Sequence, residues 1–213
     1  LSVSLSLEGS ILAFVDFYID GNGNMSGHVR VLEWDGTTWV QRGNDIDGEA
    51  TFDMSGLSVS LSSDGSIVAI GAYGNDGNGD GSGHVRVYER DNTTWTQIDS
   101  DIDGEAAADY SGEFVSLSSY GSVLAVGAPG NDANGNRSGH VRVYEWDNTS
   151  WTQLGEDIDG DQGANRSGHS VSLSSDGSVV AIGATFGNRA LGSNIFTSTG
   201  HVRAVSYTHL TLP

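Results

Sequence analysis

The sequence predicts an all-β fold: a β-propeller segment of about four blades, built on a 56-residue repeat and cut from a larger disc. Three observations predict it. The first is the period. The SGHVRV block places His28, His84, His140 and His201 at intervals of 56, 56 and 61, while Leu5, Leu61, Leu117 and Leu173 stay 56 apart, as do Trp39, Trp95 and Trp151. A unit of this length holds four strands and their turns, the content of one blade. The second is alternation. In SVSLS, Val3 and Leu5 share one face and the serines the other, at the strand period of two. The third is turn chemistry: 31 glycines against 2 prolines, spread between short apolar runs, mark turns between strands rather than a collagen-like polymer.

The units run near 1–56, 57–112, 113–168 and 169–204, the last incomplete. Unit 2 is the cleanest copy. Its first strand, SVSL, ends in SSDGS, an Asp-Gly hairpin turn. IVAIGA follows, apolar on both faces and small at Gly71 and Ala72, as a strand sandwiched between neighbouring blades requires. A long loop, YGNDGNGDGSG, leads to HVRVYE, where Val85 and Val87 share one face and His84, Arg86 and Tyr88 the other. The DNTT turn then brings in the Trp95 strand. Burying one such indole contributes about 4–6 kcal/mol at most, from ~150–250 Å² at ~25 cal/mol/Å². Unit 4 is regular to Ala184. Its five extra residues fall within 185–198, and the pattern breaks again from Ala204. Residues 205–213 are set apart as a non-native-looking tail, since SYTHLTLP resembles a translated sequencing adapter.

Composition narrows the partners. The formal charge is −19, with no lysine and nine arginines, which disfavours nucleic acid and favours cations or basic partners. No apolar run approaches the ~20 residues of a membrane helix. Cysteine is absent, so disulfides say nothing of compartment. Five N-x-S/T sequons, from Asn24, Asn92, Asn136, Asn148 and Asn165, are compatible with an extracellular setting.

In an up-and-down blade the short turns SSDGS and DNTT share one face of the disc, and the long acidic loops share the other. Loops on a rigid scaffold are where binding sits. In the two-to-three loops, Asp76-x-Asn78-x-Asp80-Gly81 matches the start of a calcium loop; Asp20-x-Asn22-x-Asn24 and Asp132-x-Asn134-x-Asn136 are weaker copies. The competing reading is a solvated turn. The four-to-one loops place Asp101, Asp103, Glu105 and Asp109 where four oxygens could wrap one cation, or simply cap strand ends. The repeated histidines read as residues making one common local hydrogen bond in each blade, and Arg30, Arg86, Arg142 and Arg203 as partners of nearby carboxylates. Departures from the repeat, Phe17-Tyr18-Ile19, Phe186 and Ile195-Phe196, offer an apolar contact patch.

With Gly127-Ala128-Pro129 complete, Gly71-Ala72 and Gly183-Ala184 partial, and Ser-Gly pairs at 55–56, 111–112 and 167–168 in the Phe-Gly position, the chain resembles the FG-GAP repeat of integrin-type β-propellers across 1–203. The family's calcium loop lies between strands one and two. Here that loop is only SSDGS, so those sites do not carry over. The resemblance implies an extracellular or cell-surface binding module, adhesive and calcium-stabilised, with a protein or glycan ligand on the acidic face. A cysteine nucleophile, a Gly-x-Ser-x-Gly motif and a phosphate loop are all absent, and the carboxylates repeat uniformly, so the expectation is a non-enzyme. The alternatives are the propeller part of a hydrolase and a carbohydrate-binding lectin.

Overall fold

The computed structural model describes residues 2–15, 22–185, 188–191, 195–198 and 200–207. Every regular element among them is a strand, and no helix is long and apolar enough to cross a membrane. Blade 1 comprises β1 (Val3–Leu5), β2 (Ile11–Val15), β3 (His28–Trp34), β4 (Trp39–Gln41) and β5 (Ile46–Asp47). Blade 2 comprises β6 (Ser58–Leu61), β7 (Ile67–Ala72), β8 (His84–Asp91), β9 (Thr94–Gln97) and β10 (Ile102–Asp103). Blade 3 comprises β11 (Phe114–Leu117), β12 (Val123–Ala128), β13 (His140–Trp146), β14 (Trp151–Gln153) and β15 (Ile158–Asp159). Blade 4 comprises β16 (Ser167–Leu173), β17 (Val179–Ala184) and β20 (His201–Ser206). The architecture is a β-propeller segment.

In blades 1 to 3 the strands pair antiparallel in chain order, and the outermost position is shared by two short pieces, both on the third strand. The sequence suggested one continuous Trp strand. Gly43, Asp99 and Gly155 break it, because each lies between the two pieces with φ of 84°, 67° and 70°. A left-handed residue cannot continue a pleated ladder. Blade 4 has three strands, and its enlarged connection forms a hairpin of β18 (Asn188–Leu191) and β19 (Ile195–Ser198). β20 continues through Val205 and Ser206, which pair with Val180 and Val179, so the strand outlasts the pattern break.

The core lies between blades. One cluster joins Val29, Val31 and Ile46 of blade 1 to Val68 and Ile70 of blade 2; the next joins Ala69, Val85 and Val87 of blade 2 to Leu124 and Val126 of blade 3. Strand β7 feeds both, which is why its sequence is apolar throughout. Trp95 packs back on blade 1 and donates its indole N–H to the Arg42 carbonyl at 2.8 Å. Val3, Leu5 and Trp39 of blade 1 are exposed.

The serines of the inner strands hold one blade to the next. Ser2 and Ser4 accept the Val59 and Leu61 N–H groups, and Ser58 and Ser60 accept those of Val115 and Leu117, at 2.9–3.1 Å. Ser116 does the same for Leu173 at 3.0 Å. An innermost strand has one unpaired backbone edge, and the hydroxyls of the preceding blade satisfy it.

Candidate functional site

The long-loop face carries three sets of polar residues, and only one departs from the repeat. The first set is the Asp/Asn-rich loops. Asp20 lies outside the described residues, as do Phe17-Tyr18-Ile19 and Phe186. Asn22, Asn78 and Asn134 donate their side-chain amides to the carbonyls of Gly48, Gly104 and Gly160, at 2.8, 2.8 and 3.0 Å. Asp76 and Asp132 accept the backbone N–H of Gly81 and Arg137, closing their own loops. At Asn24, Asp80 and Asn136 it is the backbone carbonyl that is engaged, accepting from Phe52, Ala108 and Ala164. Each position of the D-x-N-x-D pattern thus serves a different backbone group.

The second set is copied at successive junctions, and it divides the four acids expected to surround one cation. Asp101 accepts from Gln97 at 2.7 Å and lies 3.4 Å from His84 Nδ1, in its own blade. Glu105 crosses to blade 3, where it lies 3.9 Å from His140 Nδ1 and 3.8 Å from Arg142. Asp103 gives its carbonyl to Arg142. Asp109 is buried and caps the crossover, accepting from Ala106 N–H and Asn131 at 3.1 and 3.2 Å. Asp101 and Glu105 serve the histidines of successive blades while Asp109 caps the crossover, so the set does not converge. His28, His84 and His140 are buried at 1% exposure, and both ring nitrogens of His28 and His140 lack a hydrogen-bond partner. The common local hydrogen bond suggested by the repeat is therefore not made at His28 or His140. The arginines do meet carboxylates: Arg30 with Asp45 at 2.7 Å, Arg86 with Glu49 at 3.5 Å, Arg203 with Asp161 at 3.4 Å.

The third set lines a cleft of about 120 Å³ at the junction of blades 2, 3 and 4, formed by Tyr73, Tyr110, Glu113, Pro129, Gly130, Arg137, Arg166 and His169. Tyr73, Pro129, Gly130 and Arg137 come from two-to-three loops; Tyr110, Glu113, Arg166 and His169 come from crossovers and the strand start that follows. Glu113 Oε1 stands 3.9 Å from His169 Nδ1, which is buried without a hydrogen-bond partner. Phe114 meets the His169 ring edge-on at 4.9 Å, and Tyr73 meets Tyr110 edge-on at 5.9 Å. Burial raises the Glu113 carboxyl above its ordinary value, against the opposing pull of His169 and Arg166. Tyr110, Arg137 and Arg166 are held at φ of 56°, 53° and 52°, a backbone region that strains side-chain-bearing residues.

Sequence reasoning missed this cleft, although a signal for it existed. The same repeat position reads Leu1, Leu57, Glu113 and His169; another reads Met54, Tyr110 and Arg166; a third reads Met25, Gly81 and Arg137. The fold brings these substitutions together.

No family model and no curated protein matches the chain. Solved structures do. A protein from Bacteroides uniformis described as a 6-phosphogluconolactonase matches with TM-score 0.59 at 12% identity, over 96% of this chain and 57% of its own. The periplasmic gluconolactonase PpgL of Pseudomonas aeruginosa matches with TM-score 0.57 at 14% identity, over 100% and 58%. The β-propeller domain of Cps50 (Swd1) from Myceliophteria thermophila matches with TM-score 0.54 at 11% identity, over 87% and 49%. The chain thus spans about half to three fifths of these structures, and identities this low establish the fold alone. Two expectations are corrected nonetheless. The adhesive, integrin-type, extracellular reading has no counterpart among these neighbours, one of which is described as a 6-phosphogluconolactonase and another as a gluconolactonase. The expectation of a non-enzyme falls with it. It rested on missing nucleophile and phosphate-loop motifs and on uniformly repeated carboxylates, and the cleft is not uniform.

Proposed function

We propose that the chain is part of a hydrolase propeller that opens a sugar-type lactone at the Glu113–His169 cleft. One observation carries the reading: side chains that break the repeat converge on an acid, an imidazole, two guanidinium groups and two phenols in one cleft. The lactonase neighbours supply the substrate class. In this scheme His169 takes the proton of the attacking water. Glu113, 3.9 Å from its Nδ1, stabilises the imidazolium that forms. Arg137 and Arg166 hold the developing oxyanion and an anionic substituent on the sugar. Tyr73 and Tyr110 provide the wall on which the ring lies. The proton then passes from the imidazolium to the ring oxygen as the C–O bond breaks, leaving the hydroxy acid.

The test is proton release from glucono-δ-lactone and its 6-phosphate in a pH-stat, with the spontaneous rate subtracted. His169→Asn and Glu113→Gln should each lower kcat by about 10²-fold or more. Arg137→Met should raise KM for the phosphorylated lactone more than for the neutral one. Wild-type protein that adds nothing to the spontaneous rate defeats the proposal.

A further inference from the structure

We propose that Nδ1 of His140 and one carboxylate oxygen each of Glu105 and Asp157 bind a divalent transition-metal ion of the zinc class between blades 2 and 3. Glu49, His84 and Asp101 repeat the site one blade earlier. In each trio the ligand atoms all lie within 4.8 Å of one another. His140 Nδ1 is 3.9 Å from Glu105 Oε2 and 3.7 Å from Asp157 Oδ2; His84 Nδ1 is 3.9 Å from Glu49 Oε2 and 3.4 Å from Asp101 Oδ2. Most of these separations are too long for hydrogen bonds, and His140 Nδ1 has no hydrogen-bond partner although its residue is 99% buried from solvent. Tetrahedral metal bonds of about 2.0–2.1 Å place ligand atoms roughly 3.3–3.5 Å apart, so a bound ion would draw the two carboxylate oxygens towards His140 by a few tenths of an ångström.

The outer groups agree. Gln153 donates to Asp157 Oδ1 at 2.7 Å, and Arg142 faces Glu105 Oε1 at 3.8 Å, so each carboxylate keeps its other oxygen towards the imidazole. Gln97 and Arg86 do the same for Asp101 and Glu49. Holding one carboxylate oxygen so that its mate faces a metal is how outer-shell groups tune such sites. Burial, seconded by Arg142, disfavours the charged form of the His140 ring. Two carboxylates against one arginine leave each trio with an unbalanced negative charge. One imidazole with two carboxylates suits zinc better than calcium, whose shell is all oxygen. Because the glutamate arrives on the crossover and the other two ligands belong to the following blade, the ion would staple consecutive blades.

The test is calorimetric titration of the 213-residue chain with Zn²⁺, with Co²⁺ absorption as an independent readout. Glu105→Gln should lose one ion relative to wild type, and Glu49→Gln/Glu105→Gln should lose two. Both glutamates are half exposed, so folding should survive, as circular dichroism would verify. His140→Gln should abolish the visible Co²⁺ band of its site. Wild type without stoichiometric Zn²⁺ binding, or glutamine variants with unchanged stoichiometry, overturns the proposal. Millimolar Ca²⁺ displacing Zn²⁺ overturns the assigned metal class.

Discussion

Two regions of the long-loop face descend from the same repeat and have opposite characters. The ionic trio is copied together with its arginine: Glu49, His84 and Asp101 with Arg86 recur as Glu105, His140 and Asp157 with Arg142, at similar distances and with matching Gln97 and Gln153 supports. In the cleft the side chains are not copied, although Gly130 repeats Gly74. Where blade 2 begins with Leu57, blade 3 begins with Glu113 and blade 4 with His169. Several copies within one chain form an internal comparison. Positions that recur are those any blade junction needs. Positions that differ are free to specialise in side chain while their backbone is shared: Met54, Tyr110 and Arg166 are all left-handed, as are Met25, Gly81 and Arg137. At one of these positions blade 2 uses Gly81, which adopts φ of 62° without a Cβ penalty.

The largest expected effect breaks the copied side. A Cβ on Gly71 would strike the carbonyl oxygen of Gly112, and a Cβ on Gly127 that of Gly168, where the crossover presses on the second strand. Backbone cannot yield there as the tip of a side chain could. Gly71→Ala should therefore destabilise by roughly 3 kcal/mol, the upper part of the overpacking range. Urea denaturation followed by tryptophan fluorescence would measure it. A loss below about 1 kcal/mol would show that the blades slide apart easily, and that copying does not mark structural need.

How much of this was legible beforehand follows from the same contrast. Strand order, blade register and the face holding the long loops could be read because period, alternation and Asp-Gly turns all act locally. The split of the outer strand could not, since Asp99 takes a left-handed conformation that only Gly43 and Gly155 advertise. Nor could the fate of Asp101, Asp103, Glu105 and Asp109, because neighbours on a crossover are handed to different blades. The cleft draws on residues 73 to 169, so no window of sequence contains it. His169 also hides well: its SGHSV resembles the SGHVRV block but opens an inner strand instead.

A smaller effect is expected from the inner ring of hydroxyls. Ser58 accepts the Val115 N–H at 2.9 Å in a buried setting, and alanine would leave that donor unpaired. The expected cost of Ser58→Ala is about 1–2 kcal/mol. Position 114 carries Phe where Ser2, Ser58 and Ser170 carry hydroxyls, and its ring faces His169 instead. Phe114→Ser should therefore change stability less than Ser58→Ala while impairing turnover. Denaturation midpoints and lactone hydrolysis, measured on both variants, separate the two roles. Equal stability losses would mean that the cleft is scaffold after all.

The smallest stability change should come from the cleft itself, and it should have the opposite sign. Burial raises the folded-state pKa of Glu113, so the folded chain holds that proton more tightly than the unfolded chain does. Stability from this group is highest below the ordinary glutamate pKa of about 4.3, and it falls as pH rises through the raised value. At neutral pH the folded protein therefore carries the penalty of a partly buried carboxylate. Glu113→Gln removes the charge and keeps the shape. It should stabilise the chain by no more than about 1 kcal/mol at pH 7, the size typical of relieving one functional strain. Near pH 3.5, where wild type is protonated too, the gain should vanish. Guanidinium denaturation of both proteins at the two pH values measures the difference directly. A variant less stable than wild type at pH 7 would mean that the charge of Glu113 supports the fold, as the copied carboxylates do, and that the distinction between the two regions fails at this residue.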